Sequence, residues 1–298
     1  MRHQTAHLLG GPVHYVDHGG QGPALLFIHG LGGSTLNWLD VAPGLAARNR
    51  VFALDLVGFG HTPAAGRGSD LETNRALIDA FLREVVGEPA VLVGNSMGGL
   101  LSILEAVTAP DRVRALVLVN PALPKPLGVR IDRIAGAFMA SFVLPRLGER
   151  WLRKRAARLG PEGTVREVLA LVDLPESKMS RSTFEAHVGL VRERVSMPWA
   201  ERSLIEAARS LLTYLARPRR LYQVLDRITA PTLLIHGHKD RLVPMVAAHA
   251  IHRARPDWTF RDLKEIGHVP MLEVPDEFVA IVQGWLDEQL QEAREKAG

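Results

Sequence analysis

The chain has 298 residues, with 36 Lys and Arg against 32 Asp and Glu, 47% hydrophobic residues and no cysteine. This composition is that of an ordinary globular protein, and the length allows one large domain or two smaller ones, each with a sizeable core. The absence of cysteine excludes disulfides, thiolate metal sites, iron–sulfur clusters and a cysteine nucleophile.

The formal net charge of +4 is unevenly distributed along the chain. Residues 123–220 hold 16 Arg and 3 Lys against 10 acidic residues, so this segment carries +9 and the remainder carries −5. The arginines are spaced among Glu and Leu as on a solvated helical face, without the interleaved aromatic residues that are typical of nucleic-acid binding. We therefore expect a separate helical unit here and no nucleic-acid partner.

No segment predicts a membrane span or a secretory signal. The mostly apolar stretch Ile134–Pro145 is shorter than the about 20 residues that a bilayer requires. The N-terminal segment lacks both the apolar region and the small-residue cleavage site of a signal peptide. We expect a cytoplasmic protein without stable membrane insertion, and the sequence indicates no oligomeric state.

Short apolar runs predict the strands of a sheet. Two alternating segments, Ala6–Leu9 and Val13–His18, flank a Gly-Gly-Pro turn and predict an antiparallel hairpin. The following runs are continuous rather than alternating, which is typical of parallel strands covered on both faces. These runs are Ala24–Ile28, Val51–Leu56, Ala90–Val93, Ala115–Val119 and Thr232–Ile235.

Helical patterns separate these runs. Ser69 and Glu72 have the spacing of a capping box that begins one helix, Met97–Val107 forms another, and Pro275 begins a last amphipathic helix. Strands that alternate with helices predict an α/β domain with a mostly parallel central sheet flanked by helices. Residues 123–213 break this alternation with Leu/Ala/Arg-rich helical segments. We therefore predict a core domain of residues 1–122 and 214–298 and an inserted helical cap of residues 123–213.

A candidate nucleophile follows the third continuous run. Gly94-Asn95-Ser96-Met97-Gly98 lies directly after a predicted strand and directly before a predicted helix. A sharp turn at this place exposes the serine hydroxyl above the sheet in a strained conformation. Gly94 and Gly98 are then required because a side chain at either position would collide with neighbouring backbone.

A glycine-rich turn, His29-Gly30-Leu31-Gly32-Gly33-Ser34, follows the first continuous run. Such a turn lets backbone N–H groups point outward, and a tetrahedral oxyanion needs two of them. We assign these two donors to the amides of Leu31 and Met97, the second of which lies at a helix N-terminus. The turn carries neither of the usual phosphate-loop patterns, so we discount a phosphate site.

A base and an acid complete the candidate set. Serine is a poor nucleophile at its normal acidity, so it needs an adjacent base, and the base needs an acid that orients it. Asp240 lies in the turn after the last continuous run, and His268 lies near the C-terminus. Ser96, Asp240 and His268 therefore occur along the chain in the order Ser, Asp, His, which is one of the known chain orders of a nucleophile–acid–base triad.

With these motifs the chain resembles the α/β-hydrolase superfamily over nearly its whole length. The matching segments are HGLGGS at 29–34, DLVGFGHT at 55–62, GNSMGG at 94–99, HGHKDRLVP at 236–244 and GHVPMLEVP at 267–275. The resemblance implies the α/β-hydrolase fold with an inserted cap, Ser96 as nucleophile, His268 as base, Asp240 as acid, and Leu31 and Met97 as the oxyanion hole. No cofactor or metal is required by this chemistry.

Five other residues have structural interpretations that we prefer. His236 and His238 could chelate a metal, but no third ligand is spaced to join them. Asp55 could serve as an alternative acid, although the resemblance implies a loop-shaping role for its position. We expect Glu273 to support the loop of His268. Asn120 follows a strand where some relatives carry the acid, but an amide cannot stabilise an imidazolium by charge.

Three functions stay open at this stage. The leading hypothesis is hydrolysis of a carboxylic ester through an acyl-serine. The second is carbon–carbon bond hydrolysis of a ring meta-cleavage product, because GNSMGG resembles the nucleophile turn of those hydrolases, although Val269 and Pro270 follow the histidine as in esterases. The third is a non-catalytic small-molecule receptor on the same fold. The serine at position 96 argues against dehalogenases and epoxide hydrolases, which use an aspartate nucleophile.

The substrate contacts are predicted from the apolar character of the cap and from the turn after the first continuous run. We expect Gly30, Phe138, Met139 and Phe142 to line the binding site. The partner is then a small-molecule ester with an apolar portion.

Overall fold

The structure is a computed structural model that describes residues 1–124, 136 and 145–297. Its centre is an eight-stranded sheet with the strand order β1-β2-β4-β3-β5-β6-β7-β8. The strands are β1 (Arg2–Leu8), β2 (Gly11–Gly19), β3 (Ala24–Ile28), β4 (Arg50–Leu54), β5 (Ala90–Asn95), β6 (Val113–Val119), β7 (Thr232–Gly237) and β8 (Thr259–Leu263). Pairing is antiparallel for β1 with β2 and for β2 with β4, and it is parallel for the other neighbours. The mostly parallel sheet that the sequence predicted is therefore confirmed.

The continuous apolar runs form the middle of this sheet. Every residue of β3, β5 and β7 is buried. Alternate side chains of β3 enter two different hydrophobic clusters, with Leu26 in one and Phe27 in the other. The two clusters lie on opposite faces because successive strand side chains point in opposite directions. Burial on both faces explains why these strands have no polar alternation in sequence.

Several strand bounds differ from the prediction, since β1 begins at Arg2 rather than Ala6 and β6 begins at Val113 rather than Ala115. The fourth strand ends at Leu54 rather than Leu56, because the carboxylate of the next residue, Asp55, binds loop backbone. The sequence pattern did not locate β8. It lies at the sheet edge, and the sequence Thr259–Leu263 is partly exposed with only its last residue buried. An edge strand of this kind has no continuous apolar signal.

The helices flank the sheet on both sides and alternate with the parallel strands. They are α1 (Ala42–Ala46), α2 (Leu71–Phe81), α3 (Met97–Thr108), α4 (Pro145–Leu171), α5 (Arg181–Arg194), α6 (Ala200–Leu215), α7 (Pro218–Leu225), α8 (Met245–Ala254), α9 (Pro270–Glu273) and α10 (Pro275–Ala297). A π-helical turn over Leu82–Val86 continues α2. The predicted helices at Met97 and Pro275 are confirmed.

The predicted capping box at Ser69 and Glu72 is wrong. The residue that caps α2 is Asp70, whose carboxylate accepts hydrogen bonds from the backbone N–H groups of Glu72 and Thr73. Asp70 takes this role because its extended backbone directly precedes the first helical residue, Leu71, whereas Ser69 lies one position too early.

The described part of the long connection between β6 and β7 contains the four α-helices α4 to α7, and α4 to α6 occupy the region of the predicted cap. α4 bends at Gly160, whose φ is 67°, and Pro161 follows. α6 continues to Leu215, two residues beyond the boundary predicted at 213. The division into a core and an inserted cap stays a prediction, and we use the name intervening helices for α4 to α6. Within the part of the chain that the structure describes, no helix is long and apolar enough to cross a bilayer.

Candidate active site

Ser96 occupies the turn between β5 and α3. Its φ of 53° and ψ of −118° lie in a region that residues with a side chain rarely adopt. The turn is held by hydrogen bonds from the Ser96 N–H to the Val119 carbonyl and from the Ala122 N–H to the Ser96 carbonyl, at 3.1 and 2.9 Å. The strained turn predicted at this serine is present.

The two glycines around Ser96 allow the turn to approach its neighbours. A Cβ atom at Gly94 would lie 2.4 Å from the Gly98 carbonyl oxygen, and one at Gly98 would lie 2.2 Å from the Ile28 carbonyl oxygen. Both distances are shorter than non-bonded atoms tolerate. The close approach of β3, β5 and α3 at this point therefore requires glycine at both positions, as the sequence indicated.

The loop after β7 holds Asp240 as a buried carboxylate that accepts several hydrogen bonds. One of its oxygens accepts from the backbone N–H groups of Leu242 and Val243, at 2.8 and 2.9 Å. Its other oxygen accepts from the Asn120 side-chain amide at 2.7 Å and lies 2.6 Å from Nδ1 of His268. Because a carboxylate only accepts, Nδ1 of His268 carries the proton in this pair.

Opposing effects set the ionisation of Asp240. Burial alone raises the pKa of Asp240, but the charge interaction and hydrogen bond with His268, with smaller contributions from His236 and the Val243 N–H, outweigh it. The net result is a pKa of Asp240 below its usual range, so the group is a carboxylate at neutral pH. A negative charge is thus fixed against one nitrogen of His268.

The backbone of His268 is fixed from two directions. Its N–H donates to the Val172 carbonyl at 3.0 Å, in the segment that follows α4, and its carbonyl accepts from the Asn95 side-chain amide at 3.1 Å. Asn95 immediately precedes Ser96, so a single hydrogen bond connects the strand that carries the serine with the loop that carries the histidine. Sequence reasoning assigned no role to Asn95 or Val172, because both contacts join residues far apart in the chain.

Glu273 supports the same loop, as expected. Its carboxylate accepts from the Gly267 N–H at 2.7 Å and from the Lys178 ammonium group at 2.7 Å. The side chain of Glu273 is 2% exposed and that of Lys178 is 42% exposed. Lys178 and Val172 both lie between α4 and α5, so the segment that joins these two helices contacts the histidine loop through this ion pair and through the Val172 carbonyl.

The glycine-rich turn after β3 lies against Ser96. A Cβ atom at Gly30 would be 3.0 Å from the Cβ atom of Ser96. Within the described residues, the backbone N–H groups of Leu31 and Met97 have no hydrogen-bond partner. Met97 directly follows Ser96 in the chain, and Leu31 directly follows Gly30, the residue that lies against the serine. The oxyanion-hole prediction requires two such donors near the serine. The assignment of the two donors stays a prediction.

His29 and Asp55 shape this turn. Nε2 of the buried His29 accepts from the Leu56 N–H at 3.1 Å, so its Nδ1 is protonated and donates to the Gly30 carbonyl at 2.7 Å. Burial lowers the pKa of His29, which keeps the ring neutral. Asp55 accepts from the Thr35 N–H at 2.7 Å and the His61 N–H at 2.9 Å. These contacts support a loop-shaping role for Asp55.

The structure places the remaining predicted residues as follows. Nε2 of the buried His236 donates to the Val243 carbonyl at 2.8 Å, whereas the half-exposed His238 pairs with Asp262. The two imidazoles of this His-x-His pair thus have different environments and partners. The predicted substrate contacts Phe138, Met139 and Phe142 lie outside the described residues.

The comparisons with known proteins agree on the fold and the family. The model of the alpha/beta hydrolase family matches residues 25–281. The chain belongs to the alpha/beta hydrolase family. It is 26% identical over 270 residues to a pimeloyl-[acyl-carrier protein] methyl ester esterase of Aeromonas hydrophila subsp. hydrophila, which covers 90% of this chain and 97% of that protein. Together, family and relative identify a hydrolase enzyme.

Two solved structures illustrate the shared fold. A putative lipase from Acinetobacter baumannii AYE matches with a TM-score of 0.79 and 20% identity, covering 98% of this chain and 92% of that one. A meta-cleavage product hydrolase matches with a TM-score of 0.70 and 21% identity, covering 96% and 98% of the two chains. At these identities the similarity concerns the fold, which therefore occurs both in a putative lipase and in a meta-cleavage product hydrolase.

Proposed function

We propose that this hydrolase cleaves a carboxylic ester through an acyl-serine intermediate on Ser96. The observation that carries the proposal is the strained turn at Ser96 together with a buried Asp240–His268 pair, in which Nδ1 of the histidine lies 2.6 Å from the carboxylate. Asn95, the residue before Ser96, donates to the His268 carbonyl and so joins the two parts. The name of the Aeromonas hydrophila relative, a methyl ester esterase, supports an ester as the substrate class. Leu31 and Met97 are the proposed oxyanion donors.

In the first half of the reaction, Nε2 of His268 accepts the hydroxyl proton of Ser96 while Oγ attacks the ester carbonyl carbon. The negative charge that forms on the carbonyl oxygen is stabilised by the N–H groups of Leu31 and Met97. Asp240 stabilises the imidazolium by charge. When the tetrahedral intermediate collapses, His268 gives its proton to the leaving alcohol and the acyl group stays on Ser96.

In the second half, water replaces the alcohol. His268 accepts a proton from water as the water oxygen attacks the acyl carbonyl, and the same two N–H groups stabilise the second oxyanion. Collapse then breaks the bond to Oγ, returns the proton to Ser96 and releases the carboxylic acid. Every proton is transferred through His268, so this scheme requires no cofactor or metal ion.

The testing experiment compares wild type with Ser96→Ala on p-nitrophenyl esters of graded acyl length and on a dienoic keto acid from aromatic ring cleavage. The proposal predicts ester turnover that falls at least about 10⁴-fold in the variant, because the nucleophile is lost. Ser196→Ala is the matched control, since that exposed hydroxyl donates only to a local carbonyl, that of Glu193. It should retain wild-type rates.

The other two functions are outcomes of the same assay. Turnover of the keto acid without ester turnover would assign carbon–carbon bond hydrolysis to the site and overturn the ester proposal. No turnover of either substrate, together with tight retention of a small molecule, would point to a receptor. Ser96-dependent ester turnover with no reaction of the keto acid would support the esterase, and the acyl length that reacts fastest would define the apolar portion of the substrate.

A further inference from the structure

Three histidines and one carboxylate gather where the β1–β2 hairpin meets the loop after β4. We call these residues, His3, His14, Asp55 and His61, the histidine cluster. His3 lies on β1 and His14 lies on β2, while Asp55 and His61 belong to the loop. The Asp55 side chain is fully buried, that of His14 is 12% exposed and that of His61 is 40% exposed. The cluster thus leads from a buried carboxylate to solvent.

The possible ligand atoms lie close together. Nδ1 of His14 is 2.7 Å from Oδ2 of Asp55, and Nδ1 of His61 is 4.0 Å from the same oxygen. One ligand atom from each of these three residues lies within 4.8 Å of the others. Zinc bonds of about 2.0–2.1 Å at tetrahedral angles place ligand atoms about 3.3 Å apart. Small rotations, mainly of the half-exposed His61, bring the three atoms to that spacing.

The hydrogen bonds around the cluster leave a lone pair on the inner nitrogen of His61 and give His14 a partner for the tautomer that ion binding requires. Oε2 of Glu193 lies 2.9 Å from Nε2 of His61 and can only accept, so the proton of His61 lies on Nε2 and Nδ1 carries a lone pair. Nε2 of His14 contacts Nδ1 of His3 at 3.0 Å. Metal-binding histidines commonly have such a partner on their second nitrogen, which fixes the ring and its tautomer.

The carboxylate of Asp55 can accept an ion without losing its backbone contacts. Oδ1 accepts from the Thr35 N–H, and Oδ2 accepts from the His61 N–H and from Nδ1 of His14. An ion that takes the place of the His14 proton leaves Oδ2 with two partners, which matches its two lone pairs. Both nitrogens of His14 then stay occupied, one by the ion and one by His3.

We propose that His14, Asp55 and His61 bind one divalent transition-metal ion, with Zn²⁺ the best fit to two imidazoles and one carboxylate and with water as the fourth ligand. The ion connects strand β2 with the loop after β4. Through Glu193 of α5, it also connects this loop with the intervening helices. The proposed site is structural, and it is independent of the ester chemistry at Ser96.

Binding changes the tautomer of His14. The ion takes the Nδ1 lone pair, so the Nδ1 proton moves to Nε2, which then donates to Nδ1 of His3, and His3 carries its own proton on Nε2. Chelator-treated, untagged full-length protein is titrated with Zn²⁺ by calorimetry and with Co²⁺ by visible absorption. We expect one equivalent to bind in the micromolar range or tighter, with the intense visible bands of four-coordinate Co²⁺.

Two variants decide whether the ion binds at this cluster. His61→Asn removes one ligand from a half-exposed position and should weaken binding at least about tenfold. His238→Asn is the matched control, because His238 is 42% exposed and also pairs with an acid, Asp262. It should bind as wild type does. Absence of saturable binding to wild type, or wild-type affinity in His61→Asn, would overturn the proposal. Loss of binding in His238→Asn alone would place the ion elsewhere and overturn it too.

Discussion

The side-chain amide of Asn120 donates a hydrogen bond of 2.7 Å to Oδ2 of Asp240, the same oxygen that contacts His268. Asn120 follows β6 with a φ of 42°, and Asp240 follows the adjacent strand β7. An amide thus occupies a position next to the proposed acid and holds that carboxylate in place. Its role is to position Asp240 rather than to replace it.

The first prediction concerns this hydrogen bond. Asn120→Ala should lower kcat for a reactive ester about 10- to 100-fold, since hydrogen bonds to charged groups contribute about 1.5–3 kcal/mol. Alanine is also strained at this positive φ, so Asn120→Gly serves as the companion variant that removes the donor without the strain. Steady-state kinetics should show similar losses in both variants. A wild-type kcat in Asn120→Gly would contradict the positioning role.

The second prediction concerns the ion pair between Lys178 and Glu273. Lys178→Ala leaves the buried carboxylate of Glu273 without its cation, and Glu273 holds the backbone of Gly267 next to His268. We expect kcat to fall about 3- to 10-fold with little change in KM, because the histidine loop is less well fixed.

Lys239→Ala is the control for this ion pair. Lys239 is comparably exposed, at 49% against 42% for Lys178, and pairs with Glu265, which is itself 79% exposed. Loss of such a surface pair should leave kcat within about twofold of wild type. Equal losses in the two variants would mean that a change in surface charge, rather than the contact with the histidine loop, affects the rate.

The third prediction concerns the glycine that lets α3 approach β3. Gly98→Ala places a Cβ atom 2.2 Å from the Ile28 carbonyl oxygen, so the turn at Ser96 must move. The free energy of unfolding should fall by about 3 kcal/mol. Gly284→Ala in α10 meets no atom within 4 Å and should instead gain up to about 1 kcal/mol from helix propensity. Urea unfolding measures both, and equal stability of the two variants would refute the steric argument.

The fourth prediction concerns Glu105 of α3, whose buried carboxyl group contacts Arg75 at 3.0 Å. Burial raises the pKa of Glu105 from 4.5 to about 7, although Arg75 opposes this shift. Between these two pH values the folded protein keeps a proton that the unfolded chain has released. Stability from this group is therefore complete below about pH 4.5 and is lost as the pH rises through 7.

Glu105→Gln isolates this effect because glutamine does not titrate. The stability of wild type relative to the variant should fall by at most about 3 kcal/mol between pH 4.5 and pH 8. Chemical unfolding at four pH values across this range measures the difference. A difference that stays constant with pH would contradict the raised pKa.

Local patterns in the sequence identified the parts of the site that depend on strand ends. Ser96, Asp240 and His268 each lie within a recognisable motif that follows a strand. Because the carboxyl ends of parallel strands meet at one edge of the sheet, these three residues lie at that edge. The central strands were predicted because burial on both faces leaves a continuous apolar run. The half-exposed β8 leaves no such run, so it was not located. The N-cap of α2 was placed one residue too early, because the spacing of Ser69 and Glu72 resembles a capping box whereas Asp70 is the residue that caps the helix.

Contacts between distant segments were not predictable in the same way. Asn95 meets the loop of His268, Val172 accepts its backbone N–H, and Lys178 pairs with Glu273. Each of these contacts joins residues separated by about 95 positions or more. No local spacing encodes such a distance, so the residues that fix the histidine loop emerged only from the folded arrangement. Asn120 was noticed because of its place after a strand, but its partner could not be inferred.

Identification of the nucleophile tests the central claim most directly. Wild type is treated with a fluorophosphonate, digested and mapped by mass spectrometry while the remaining ester hydrolysis is followed. We predict a single adduct on Ser96 whose extent matches the loss of activity, and no adduct or ester turnover in Ser96→Ala. Inactivation that follows modification of another residue, or ester hydrolysis that persists in folded Ser96→Ala, would contradict the account.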